Sequence, residues 1–219
     1  MAAGRAVRRV LRDRADRVAP ERPLTPRPVR LFVSLTPPLE AVQTVADAVT
    51  ELGRVPGVRW SPPHRWHVTL AFLGEVDAVG VPPLARALAA AAAAHEPPRL
   101  RLAGTGCFGD RVLWAGVAGD LDRLSALAAA VAHAGRSAGA VGESAEPGEQ
   151  AYRPHVTLAR AAGRGAGGEL PRLAEQLAAQ LAHLSGPTWT AREVQLVQSH
   201  ASDGRYEVLE SFALGGGSP

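Results

Sequence analysis

The tetrapeptide His-Val-Thr-Leu occurs twice in this chain of 219 residues, at positions 67–70 and again at 155–158, 88 residues apart (155 minus 67). Each copy sits in a stretch that reads as a strand, Trp66 to Leu73 in the first case, and each is followed by the same series of elements. After the first copy, Pro82-Pro83 opens an Ala-rich helix running to about His95. Leu100 to Thr105 and Arg111 to Val117 then pair around a Gly109-Asp110 turn. After the second, Pro171 opens a helix with Leu173, Leu177, Leu181 and Leu184 on one face. Strands from about Ala191 to Ser199 and Tyr206 to Leu214 then turn at Asp203-Gly204. A duplicated order of strand, helix and hairpin restricts the fold to two copies of one unit about a pseudo-twofold axis, with the His/Thr strands close to that axis. The expected class is α+β and bilobal: two pseudo-symmetric units, each with an antiparallel sheet and helices, and a cleft between them.

A helix precedes each unit. Before the first, the strand Val29 to Leu35 leads through Pro37-Pro38 into a helix whose apolar positions Leu39, Val42, Val45, Val49 and Leu52 recur at helical spacing until Gly53 ends it. Before the second, Asp120 is placed to cap a helix reaching about Ala134, with Leu121, Leu124, Leu127 and Val131 facing inward. Gly135 to Gln150 and Ala161 to Glu169 read as surface loops. These boundaries give an Arg-rich, poorly ordered arm over residues 1–28, one domain over 29–214 with its lobes mixed along the chain, and a tail over 215–219.

Charge distribution narrows the function classes. The chain has no Lys, so all 24 basic residues are Arg, and the isoelectric point is about 9.9. Eight of those Arg fall in residues 1–28 against Asp13, Asp16 and Glu21, a net of +5, which leaves 16 Arg against 18 acids in the rest, a net of −2. Any preference for phosphate in the domain must therefore come from local placement rather than a globally basic surface. The lone Cys107 excludes an internal disulfide and stands apart from other metal-binding side chains. With no apolar run of signal-peptide or membrane-span length, the expectation is a cytoplasmic protein without membrane contact.

Alternation along a strand puts His67 and Thr69 on one face, and His155 and Thr157 likewise, while Val68, Leu70, Val156 and Leu158 turn into a core. Strands laid side by side would bring two imidazoles and two hydroxyls into one pocket. Imidazole titrates near pH ~6.5, so one copy can give a proton while the other takes one. In-line displacement at phosphorus needs the acid and the base on opposite sides of the phosphate, which a pseudo-twofold axis supplies. The Thr hydroxyls would then donate to the non-bridging oxygens. Neither strand places Cys, Asp or Glu beside its His, which argues against a metal centre. The remaining His and the four Trp lack a comparable context, and Trp66 should face away from His67.

The residues that carry this chemistry also carry a resemblance. Arg30-Leu31-Phe32-Val33 with Pro37-Pro38 after it, Trp66 to Gly74 (WHVTLAFLG), Arg153 to Arg160 (RPHVTLAR) and the hairpin from Ser199 to Tyr206 together resemble the 2H phosphoesterases. Within them the chain is most similar to the RNA 2′,3′-cyclic phosphodiesterases, also described as 2′-5′ RNA ligases. The resemblance covers about residues 29–214 and implies a monomeric, metal-independent and cofactor-free hydrolase. Its substrate would be an RNA or nucleotide ending in a 2′,3′-cyclic phosphate, opened to a 2′-phosphate. It implies His155 as proton acceptor, His67 as proton donor, and Thr69, Thr157 and Arg160 as substrate-binding residues, with 2′-5′ joining as the reverse reaction. Strict alternation from His155 sends Arg160 to the opposite face, so its role requires the strand to end or bulge after Leu158. Arg30 and Phe32 share a face and could line the pocket, the Phe stacking on a base, while core packing is an equal reading for Phe32.

Other readings stand beside this one. Duplicated strands could be kept for packing alone, although packing does not require a polar pair on one face twice. The pocket could bind an RNA end without catalysis, or the same chemistry could act on 2′-5′ oligonucleotides or small cyclic nucleotides.

Overall fold

The computed structural model describes residues 28–140, 152–162, 169–181, 186–201 and 204–215. The greater part of the Arg-rich arm, most of the two expected loops, His183, Leu184 and Asp203 lie outside them. Among the described residues nine strands form one sheet: β1 (Val29–Leu35), β2 (Val58–Trp60), β3 (Val68–Val76), β4 (Arg99–Phe108), β5 (Val112–Gly119), β6 (His155–Ala161), β7 (Trp189–Thr190), β8 (Glu193–Ser199) and β9 (Tyr206–Ala213). The helices among the described residues are α1 (Leu39–Leu52), α2 (Val81–Ala93), α3 (Leu121–Ser137) and α4 (Glu169–Leu181). The α+β expectation is met, and every strand pair is antiparallel.

Strand order is β7-β4-β5-β6-β3-β1-β8-β9, with β2 paired to β6 off that path. The two motif strands are thus neighbours at the middle of the sheet. They share a single register pair, Val68 with Val156. The hairpins exchange sides. The β4–β5 hairpin follows the first motif in the chain yet lies against β6, and the β8–β9 hairpin follows the second motif yet lies against β1 on the β3 side.

Apolar alternation builds the core on one face. Leu31, Val33 and Leu35 of β1, Val68 and Leu70 of β3, and Val156 and Leu158 of β6 are all buried. Helix α4 packs over β4 and β5 and α1 over β4 beside it, while α2 and α3 pair with each other, α3 against β3 and α2 against β8 and β9. Leu124, Leu127 and Val131 of α3 are 0–1% exposed, and each Leu buried so completely stabilises by about 1.5–3 kcal/mol.

The helix starts differ from expectation. Leu39 and Leu121 are exposed, because each is the first residue of its helix and stands clear of the sheet. The Asp120 side chain makes no capping bond. Its Oδ2 instead accepts from the backbone N–H of Arg99 at 3.0 Å, tying the start of β4 to the end of β5. Strands β2 and β7 have no counterpart in the sequence pattern, since three and two residues respectively are too few for a period to show.

Candidate active site

An antiparallel pair has a local twofold axis, and here it passes through Val68 and Val156. That axis exchanges His67 for His155 and Thr69 for Thr157, and it sets each His beside the other motif's Thr. The core-facing Val pair fixes the opposite face as the one that carries all four. His67 itself lies one residue ahead of β3 rather than within it, while His155 opens β6.

Each imidazole is oriented by the same device. The Nδ1–H of His67 donates to the carbonyl oxygen of Arg65 at 2.8 Å, and that of His155 to the carbonyl of Arg153 at 2.7 Å. A carbonyl only accepts, so Nδ1 must carry the proton and Nε2 is the nitrogen left for chemistry on both rings. Both pKa values lie below the ordinary 6.5. Burial is the largest cause in each case, opposed by the carbonyl hydrogen bond. Charge on His155, Arg65 and Arg160 disfavours protonation of His67 further, and Arg160 does the same for His155.

The field of Arg160 at both imidazoles fits its position. Opposite β5, Leu113 pairs with Ala159 but Trp114 pairs with Thr157, so Leu158 is the extra residue of a β-bulge. Leu158 and Ala159 are consecutively buried, and alternation resumes with Arg160 exposed opposite Val112, on the face of Trp114, Thr157 and His155. The bulge the assignment required is therefore present. Strand β3 repeats it: Val33 pairs with Ala71 and Ser34 with Thr69, leaving out Leu70, the residue equivalent to Leu158.

Aromatic rings wall each imidazole. Phe32 and Tyr206 lie 4.9 and 5.2 Å from His67 between ring centroids, and Phe108 and Trp114 lie 4.8 and 6.3 Å from His155. Phe32 is buried as the core reading expected, and its ring also flanks His67. Trp66 is buried and faces away, its Nε1–H donating to the Ser61 carbonyl. Arg65 caps the ring of Tyr206 at 4.7 Å and donates to the Gly204 carbonyl, fastening the β8–β9 turn beside His67. Among the described residues no three His, Cys, Asp or Glu side chains gather as metal ligands.

Tyr152, Phe108, Trp114 and Tyr206 carry no assignment from sequence. The hydroxyl of Tyr152 donates to the Thr69 carbonyl at 3.0 Å, bridging the seam where β3 and β6 share one register pair. Burial pushes its phenol well above the usual range, so it stays a donor. Tyr152→Phe keeps the ring and strands that carbonyl. The expected result is a loss of about 0.5–1.5 kcal/mol in unfolding free energy by urea titration, and an unchanged midpoint would show that the bond contributes nothing.

An α+β sheet with a His-x-Thr strand on each side of its central seam has the architecture of a 2H phosphoesterase. A family model described as the 2′-5′ RNA ligase superfamily matches residues 27–203, and the chain belongs to that family. It is 31% identical over 199 residues to the RNA 2′,3′-cyclic phosphodiesterase of Thermus thermophilus, covering 86% of this chain and 91% of the relative. To the protein of the same name from Geobacillus stearothermophilus it is 35% identical over 137 residues, 59% of this chain but only 41% of that longer relative. The solved structure of TT0787 from Thermus thermophilus superposes with a TM-score of 0.65 at 29% identity, over 85% of this chain and 98% of that one.

Proposed function

We propose that this protein hydrolyses RNA 2′,3′-cyclic phosphate ends to 2′-phosphate ends by metal-independent acid/base catalysis. The observation that carries the reading is the twofold pair of imidazoles, each held with Nδ1 on a carbonyl and Nε2 left for proton transfer. The relatives named RNA 2′,3′-cyclic phosphodiesterase support the substrate class. His155 takes the proton of the attacking water, and His67 returns one to the departing 3′ oxygen. Thr69, Thr157 and Arg160 hold the non-bridging oxygens as charge grows on them. With a 5′-hydroxyl attacking in place of water, His155 takes the hydroxyl proton and His67 again protonates the departing 3′ oxygen, giving a 2′-5′ join, and only cleavage of that join back to the cyclic phosphate exchanges the two roles.

The test is incubation of the purified chain with a synthetic oligonucleotide bearing a 2′,3′-cyclic phosphate, with the product end identified chemically. The expected product is a 2′-phosphate, formed equally in excess chelator. A 3′-phosphate product, or a rate that collapses with chelator, overturns the mechanism.

The lowered imidazole pKa values set the pH dependence. Above its pKa His155 is the free base the reaction needs, and below its own His67 is the required acid. The bell for kcat/KM, which reports the free enzyme, is therefore centred below pH 6.5. A bound anion favours protonation of both rings, so the kcat profile lies at higher pH than that for kcat/KM. A kcat/KM optimum above pH 7.5 would contradict the assignment.

A further inference from the structure

Two arginines face each other at the far end of β6. Arg59, the middle residue of β2, is the direct register partner of Arg160. Residues directly opposite in an antiparallel pair project to the same side with Cβ atoms about 4.5–5.5 Å apart, and like charges placed so are destabilising. Both side chains are exposed, and no carboxylate among the described residues pairs with either. The placement is nevertheless fixed. Among the described strands β2 pairs only with β6, the Ser61 N–H donates to the Leu158 carbonyl at 2.8 Å and the Ala162 N–H to the Gly57 carbonyl at 2.7 Å, and the Trp60 indole N–H donates to the Gly53 carbonyl at 3.0 Å. A short strand pinned at both ends therefore sets one arginine directly opposite another on the face that carries His155.

An anion resolves such a pair. Arg160 is flanked by β5 on one side and β2 on the other, and its charge is felt at both imidazoles. Arg59 stands one strand spacing, about 4.8 Å, further from β5 along the same face. We propose that Arg59 and Arg160 form a two-phosphate subsite, Arg160 on the reacting cyclic phosphate and Arg59 on the adjoining phosphodiester of the strand, so that an oligonucleotide end is preferred over a free cyclic mononucleotide. This rests on the function proposed above. It adds a specificity determinant that the tetrapeptides do not contain. Guanidinium groups meet phosphate oxygens through paired N–H donors, and each contact to a single strand adds about 0.7 to the dependence of log affinity on log salt.

The experiment compares three substrates: uridine 2′,3′-cyclic phosphate, a dinucleotide ending in a 2′,3′-cyclic phosphate, and that dinucleotide with a neutral methylphosphonate linkage. Wild-type kcat/KM is expected to be about tenfold higher on the charged dinucleotide than on the other two, a difference of about 1.4 kcal/mol. Arg59→Ala should bring the three values together and lower the salt slope on the charged dinucleotide by about 0.7. Arg59→Lys, which keeps a cation, should retain part of the preference. An equal factor lost on all three substrates in Arg59→Ala, or no discrimination by the wild type, overturns the subsite while leaving the functional reading in place. A wild type that turns over none of the three overturns the functional reading, and the subsite with it.

Discussion

Replacing His67 or His155 by Ala should lower kcat on a 2′,3′-cyclic phosphate end by about 10²–10⁴-fold, the usual contribution of a positioned general acid or base. That range corresponds to about 3–5 kcal/mol of transition-state stabilisation for each ring. Because the two rings work on one phosphate, the double variant should lose much less than the product of the single losses. Product affinity should fall only modestly in either single variant, which separates an enzyme from a protein that merely grips an RNA end. Steady-state rates together with equilibrium binding of a 2′-phosphate end read both quantities. Wild-type turnover in both single variants would remove the assigned roles.

Gly106→Ala should reach the same site through packing. A Cβ built at Gly106 would overlap the indole of Trp114, whose ring also lies 3.4 Å from the Cβ position of Gly116. The ring has two glycines beneath it and Phe108 beside it, with centroids 5.5 Å apart. On another side it neighbours the His155 imidazole, with centroids 6.3 Å apart. Overpacking of this kind costs about 1–3 kcal/mol, so the urea midpoint should fall with the slope preserved, and kcat should fall with it. Full stability and activity in the Ala variant would show that the indole has room to move.

The duplicated tetrapeptide made the centre of the sheet legible, because period-two alternation assigns His and Thr to one face and Val and Leu to the other wherever the strand pairs. Val68, Leu70, Val156 and Leu158 are buried accordingly. The side of Arg160 could not be settled that way. A bulge is a property of two strands in register, and the partner that reveals it at Leu158 is Trp114, more than forty residues earlier (158 minus 114 is 44). Arg59 was hidden for a related reason: β2 is three residues long and gains its meaning only from pairing with β6. The repeated Arg two positions before each His was visible, at Arg65 and Arg153. Its use was not, because the backbone carbonyl orients the imidazole and the side chain does not. Leu39 and Leu121 fitted a helical period yet face solvent, since periodicity cannot say how far along a helix the neighbouring layer extends.

The exchanged hairpins bear on how the molecule is made. His67 is walled by Tyr206 and His155 by Phe108 and Trp114, so each ring waits on the hairpin that belongs to the other motif. Strand β1 finds one neighbour in β3 but the second only in β8, with Phe32 opposite Val197. A ribosome releasing this chain would hold an incomplete pocket until β8 and β9 emerge, and folding dominated by such distant pairings is intrinsically slow. Competence waits on β8 and β9.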